Sequence, residues 1–190
     1  MKSNILLFVL FSCLLLQSAV AATNVLSIYL VAKEEMEKEE TQLWETKPGS
    51  LRLLSSPVLA DADFISFDWT NQTFVITSKA AQRLAAGIWS REGSAPTLLW
   101  NGTYELIPFS TPFVVKASGE PVYVGAFSSP VSSSSFPVPV IWADTYAISS
   151  STISNVTLTI RFVASPGMAD PRRDRRIFDA VEKLFPHDKK

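Results

Sequence analysis

The chain has 190 residues, with 17 Lys and Arg against 18 Asp and Glu, one His and one Cys. A charge this close to balance argues against non-specific nucleic-acid binding. A single imidazole and a single thiol exclude structural or catalytic zinc sites, Cys/His dyads, haem attachment and His-based triads, because each needs a cluster of those groups.

Met1 to Ala22 has the order of a secretory leader. One cation, Lys2, precedes the apolar run Ile5 to Leu16, and Gln17-Ser18 leads to the small residues Ala19-Val20-Ala21. Residues 1–21 are therefore read as a signal peptide cut between Ala21 and Ala22, since the apolar run is shorter than the roughly 20 residues that span a bilayer. Leu10-Phe11-Ser12-Cys13 is the alternative, a lipoprotein box, but cutting before Cys13 would leave Leu14-Leu15-Leu16 as a greasy start. With Cys13 removed the mature chain has no cysteine, so its stability must come from a packed core. It is expected to be secreted, periplasmic or extracellular, with no later transmembrane segment. Losing Lys2 leaves 16 cations against 18 anions.

Val25 to Val31 reads as a core strand with Leu26, Ile28 and Leu30 on one face. Lys33 to Glu45 has only Met36, Leu43 and Trp44 apolar, too sparse for a buried helix, so it reads as a solvated excursion with a turn or two of helix. The functional alternative is an acidic, cation-binding tract. Leu51-Arg52-Leu53-Leu54 reads as a second strand leading through Pro57 to Val58-Leu59. Asp61 and Asp63 follow, and caps of a short helix suit them better than a hard-cation site, which needs six or more oxygens.

Phe64 to Trp69, a turn at Asn71-Gln72 and Phe74 to Thr77 form a hairpin, with Phe64, Ser66 and Asp68 alternating against Ile65, Phe67 and Trp69. Ser78 is the expected cap of a helix through Lys79 to Ala86, ended by Gly87. Leu98 to Trp100, Asn101-Gly102 and Thr103 to Leu106 suggest an inserted hairpin at about 88–110. Its aromatics, Trp89, Trp100 and Tyr104, are candidates for stacking on a sugar or anchoring a peptide, against the plainer role of packing on the core.

Pro112 to Lys116 and Pro121 to Phe127 form another hairpin, Ser128 to Phe136 is a Ser-rich loop, and Pro137 to Trp142 is extended, its prolines suiting an edge or a strand start. Ile153 to Val163 alternates as a half-buried strand. Asp170-Pro171 caps a last amphipathic helix whose Ile177, Val181 and Leu184 fall on one stripe, with Phe178 alongside. Arg172, Arg173, Arg175 and Arg176 crowd its start, where cations oppose the helix dipole. They are candidates for contact with a partner or an anionic surface, the other reading being a solvated face with Asp170 and Asp174 as local partners.

The predicted class is α+β, a mixed, mostly antiparallel sheet with helices packed on one face. The domain occupies residues 22–170, and residues 171–190 add the amphipathic helix and tail to it. Asn71-Gln72-Thr73, Asn101-Gly102-Thr103 and Asn155-Val156-Thr157 are glycosylation sequons, read here as polar turn and strand positions.

From Val25 to Ile141 the order resembles the head part of the first periplasmic region of SecD, a subunit of the Sec protein-export machinery. Pro57-Val58-Leu59, Asp63, Ile76-Thr77, Ala80-Ala81, Leu84, Phe113-Val114-Val115 and Pro139-Val140-Ile141 carry the resemblance. It implies the fold and, at most, contact with another polypeptide. The proton-coupling carboxylates that SecD carries in transmembrane helices have no counterpart here. No Gly-rich phosphate loop, Ser-x-x-Lys or Gly-x-Ser-x-Gly stands in a supporting context, so no cofactor is expected. The function expected is a non-enzymatic binding or interaction module. The alternatives are a hydrolase using two of Asp61, Asp63, Asp68 and Glu105, and a structural envelope component held by the last helix.

Overall fold

The computed structural model describes residues 24–35, 40–92, 103–105, 111–128, 136–143, 147–149, 155–163, 167 and 169–186, with the backbone alone at 40–41, 89–92, 103–105, 143 and 147–149. The leader, Cys13, Trp100, the Asn101-Gly102 turn, His187 and all but the ends of the Ser-rich loop lie outside the described residues.

Eight strands form one sheet: β1 (Leu26–Leu30), β2 (Leu59–Ala60), β3 (Phe64–Asp68), β4 (Thr73–Ile76), β6 (Thr111–Ala117), β7 (Glu120–Ser128), β8 (Val140–Ala143) and β10 (Val156–Arg161). Their order is β2-β1-β6-β7-β8-β10-β4-β3. All pairs are antiparallel except β7 with β8. The two ends of this order, β2 and β3, are successive in the chain, separated only by the 3-10 turn Asp61–Asp63. Three residues reach about 10 Å, so the sheet has to curl until its edges nearly meet. The ring is joined by a turn, because β2 pairs with β1 and β3 with β4.

Alternation decides which side chains face inward. Leu26, Ile28 and Leu30 on β1, Phe113 and Val115 on β6, and Val156, Leu158 and Ile160 on β10 share the main core. Helix α2 (Ser78–Glu92) adds Ala80, Ala81, Leu84, Ala85 and Ile88, and α3 (Arg175–Leu184) adds Ile177, Ala180 and Val181. The alanines on α2 let its backbone sit close to the strands. A second cluster joins Val31, Leu51, Val114 and Val124 with Leu43 of the six-residue helix α1 (Glu40–Glu45). Val114 and Val124 alternate with the inward residues of β6 and β7, so α1 covers sheet surface away from the main core.

Several expectations are corrected. Leu43 is buried and Trp44 meets the Phe136 ring edge-on at 5.6 Å, so the acidic excursion is a cover as well as a wet segment. Leu51 to Leu54 forms no strand, only a bridge between Leu53 and Val31, because the amides of Ala32 and Leu54 bond across to Arg52 and Leu30 one at a time. On β3 a bulge between Phe64 and Ser66 resets the alternation, so Phe64 and Phe67 both turn inward while Ile65 is 44 % exposed. Helix α2 is capped by Thr77, whose Oγ1 accepts from the Ala80 amide at 3.1 Å, and it runs through Gly87. A Cβ at Gly87 would lie 3.5 Å from Val58, and burying Ile88 outweighs the weak helix propensity of glycine there. β5 (Thr103–Glu105) pairs with β9 (Ala147–Ser149), a strand not foreseen.

Candidate functional site

The hairpin turn between β3 and β4 is held by one carboxylate. Asp68 accepts from the amides of Thr70 at 2.8 Å and Asn71 at 3.1 Å, and from the Asn71 side-chain amide at 2.7 Å. The Asn71 backbone bond, then its side-chain bond, holds the Asp68 carboxyl below its ordinary value, so it is ionised at neutral pH. Gln72 takes a positive φ of 53° and its side chain donates to the Trp69 carbonyl at 2.8 Å. The turn thereby places the Trp69 ring 4.9 Å from Phe67 and 5.3 Å from Phe178 of α3.

Phe178 and Glu182 lie at i and i+4 on one flank of α3 beside its inward stripe, and Phe185 is the residue just past the helix end. Between this flank and β3 runs an open trough of about 820 Å³, which continues past Ser66 and Asp68 to Val75 and Thr157. Behind it, under α3, an apolar void of about 20 Å³ is bordered by Phe67, Ile177 and Tyr123. Burial pushes the Tyr123 hydroxyl pKa up, which keeps it protonated.

Two copies of one clamp fasten α3 to the ring. Asp170 accepts from the Arg172 amide at 3.0 Å and from its guanidinium at 2.7–3.2 Å, and Arg172 donates on to the Ile160 carbonyl at 2.9 Å. Asp174 repeats this with Arg176, which reaches the Pro121 carbonyl at 3.4 Å. The first clamp caps a 3-10 turn at Pro171–Arg173, and Asp174 caps α3 itself, so the helix begins four residues later than Pro171. Arg175 pairs with Asp179 at 2.8 Å and Arg173 with Asp170 at 3.8 Å. All four arginines proposed for an anionic surface therefore have a carboxylate beside them.

The clamps set an acid limit. At Asp170 burial works to raise the pKa but is outweighed by the bonds from Arg172, and at Asp174 the Arg176 side chain lowers it. A folded value below the ordinary 3.8 means that the stabilisation is present above that value and is lost as pH falls through the lowered one. The thermal midpoint is expected to drop as pH falls below the ordinary carboxylate value of 3.8, and to drop less steeply in the Asp170→Asn, Asp174→Asn double variant. Parallel acid titrations of the two proteins would refute the clamp.

Asp61 accepts from the Val25 and Leu26 amides, and Asp63 from the Ala60 amide and from Arg83. Asp61, Asp63 and Asp68 are thus engaged in holding backbone, and the Glu105 side chain lies outside the described residues. Trp89 sits on α2 and Tyr104 on β5, paired with Ile148, their side chains also outside. The trough around Trp69 and Phe178 was not foreseen as a site, because it is formed by elements distant in the chain. Among the described residues no three His, Cys, Asp or Glu side chains gather to hold a metal, and no helix is long and apolar enough to cross a membrane. No protein-family model, curated protein or solved structure matches the chain.

Proposed function

We propose that the protein is an exported, non-enzymatic binding module that meets its ligand in the trough between β3 and α3. In this reading α2 and α3 close the inner face of the sheet, and the resemblance to the SecD head points the same way, toward contact rather than chemistry. The observation that carries the proposal is the trough itself, where Phe178, 37 % exposed, and Trp69 offer aromatic surface beside a strand that has no neighbour on its far side among the described residues. Of the carboxylates near it, Asp68 is committed to the turn and Asp170 and Asp174 to the clamps, and Glu182 is the other acid in its lining. The paired arginines give no support to anchoring at an anionic surface.

A photo-reactive benzoylphenylalanine at Thr70 or at Phe178, in protein expressed in its own host, is expected to yield a discrete adduct that the same group at exposed Arg52 does not. Absence of any adduct from both trough positions would remove the proposal.

A further inference from the structure

The geometry points to an extended polypeptide segment, apolar at alternate residues and carrying Lys or Arg, that adds to β3 as a further antiparallel strand. This rests on the trough being the binding surface and names what fills it. In the ring every strand except β2 and β3 has neighbours on both sides, and β2 has only two residues. β3 has five, an edge of about 17 Å at 3.4 Å per residue. Closing the ring would set β3 beside β2 and, beyond its two residues, along β1, but Asp61 takes the Val25 and Leu26 amides and stands where a continuing ladder would pair. Among the described residues the seam beside β3 is thus left without a strand.

The trough is shaped for main chain plus alternate side chains. β3, continued by Thr73 and Val75 of β4 and Thr157 of β10, forms one wall, and Phe178 of α3 with Phe185 just past its end forms an apolar wall opposite, against which a strand added at the β3 edge would set every second side chain. The bulge between Phe64 and Ser66 twists the start of the edge, as natural edges do, and leaves Ser66 to Asp68 in regular register for pairing. Charge selects the ligand further. Among the described residues the charged ones lining the trough are Asp68 and Glu182, both acidic, and the nearest cation on its apolar wall, Arg175 over the Phe178 ring, is paired with Asp179. A saccharide fits less well, since the Asp68 and Asn71 groups that would bond its hydroxyls already bond each other and the turn.

The test titrates the full-length protein with three capped ten-residue peptides while following its amide resonances. One alternates Val with Lys and Thr, the second has Glu in place of Lys, and the third is the first with every second amide N-methylated. The expected result is binding of the first with new exchange protection on β3, about tenfold weaker binding of the second, and none of the third. Equal binding of the N-methylated copy, or binding without protection on β3, overturns strand addition. No binding of any peptide, in protein whose trough positions still give the adduct described above, overturns this inference and leaves the trough reading intact. Concentration-dependent dimerisation that protects β3 with no peptide present would show a second copy of the chain as the occupant and overturn it too.

Discussion

Gly125→Ala is expected to destabilise the protein by about 3 kcal/mol, and Gly125→Val to prevent recovery of folded protein. Gly125 sits on β7 directly opposite Phe113 of β6. A Cβ built there would lie 2.6 Å from Cε2 of Phe113 and 2.7 Å from the Pro139 carbonyl oxygen, both inside van der Waals contact. Neither neighbour has room to withdraw. Phe113 is fully buried, its ring 4.7 Å from Phe127, and the Pro139 carbonyl accepts from the Ala126 amide at 2.9 Å where β8 joins β7 as its parallel partner. Moving the ring opens the core, and moving the carbonyl breaks the entry to the one parallel pairing in the ring. Urea unfolding measures the loss, and Phe113→Leu placed in the Gly125→Ala background should recover part of it because the two changes share one contact. A Gly125→Ala protein within about 0.5 kcal/mol of the parent would show that the close approach is not there.

How far the fold can be read from the chain depends on whether a position is decided by its neighbours in sequence. The inward faces of β1 and β10 were legible because Leu26, Ile28 and Leu30, and Val156, Leu158 and Ile160, follow the two-residue period of a strand with one buried face. The β3–β4 and β6–β7 hairpins were legible from turn chemistry, including Ser118 and Gly119, both at positive φ. Gly87 misled because a local stop signal competes with the burial of Ile88 one residue on. The pairing of β5 with β9 and the seating of β8 between β7 and β10 are choices among distant partners, and no local pattern encodes them. The trough is of that kind: Trp69 and Phe178 touch only because the clamps at Asp170 and Asp174 bring α3 against the hairpin. The aromatic residues that the sequence put forward, Trp89, Trp100 and Tyr104, were selected by local composition, which carries no information about what faces what.

Asp61→Ala is expected to destabilise the protein by about 2–3 kcal/mol, more than removal of an ordinary exposed acid, and to loosen the ring at its seam first. The Asp61 carboxylate accepts from the Val25 amide at 2.8 Å and the Leu26 amide at 2.7 Å, 36 and 35 residues away along the chain. It stands where the sheet passes from its first strand to its last, since Ala60 pairs with Ser27 on one side of the turn and Phe64 with Ile76 on the other. Alanine would leave two part-buried donors without an acceptor and would free the turn that holds β2 and β3 in one line. Asn keeps one acceptor oxygen, so Asp61→Asn should lose about half as much. The signature is spatial as well as energetic. Amide exchange should quicken along β1 and β2 while β7 and β8, far around the ring, keep their protection, because local opening follows the contacts removed. Uniform quickening across all strands would mean that the ring opens only as a whole, and that the turn at Asp61 to Asp63 is not the weak point by which its two edges are held together.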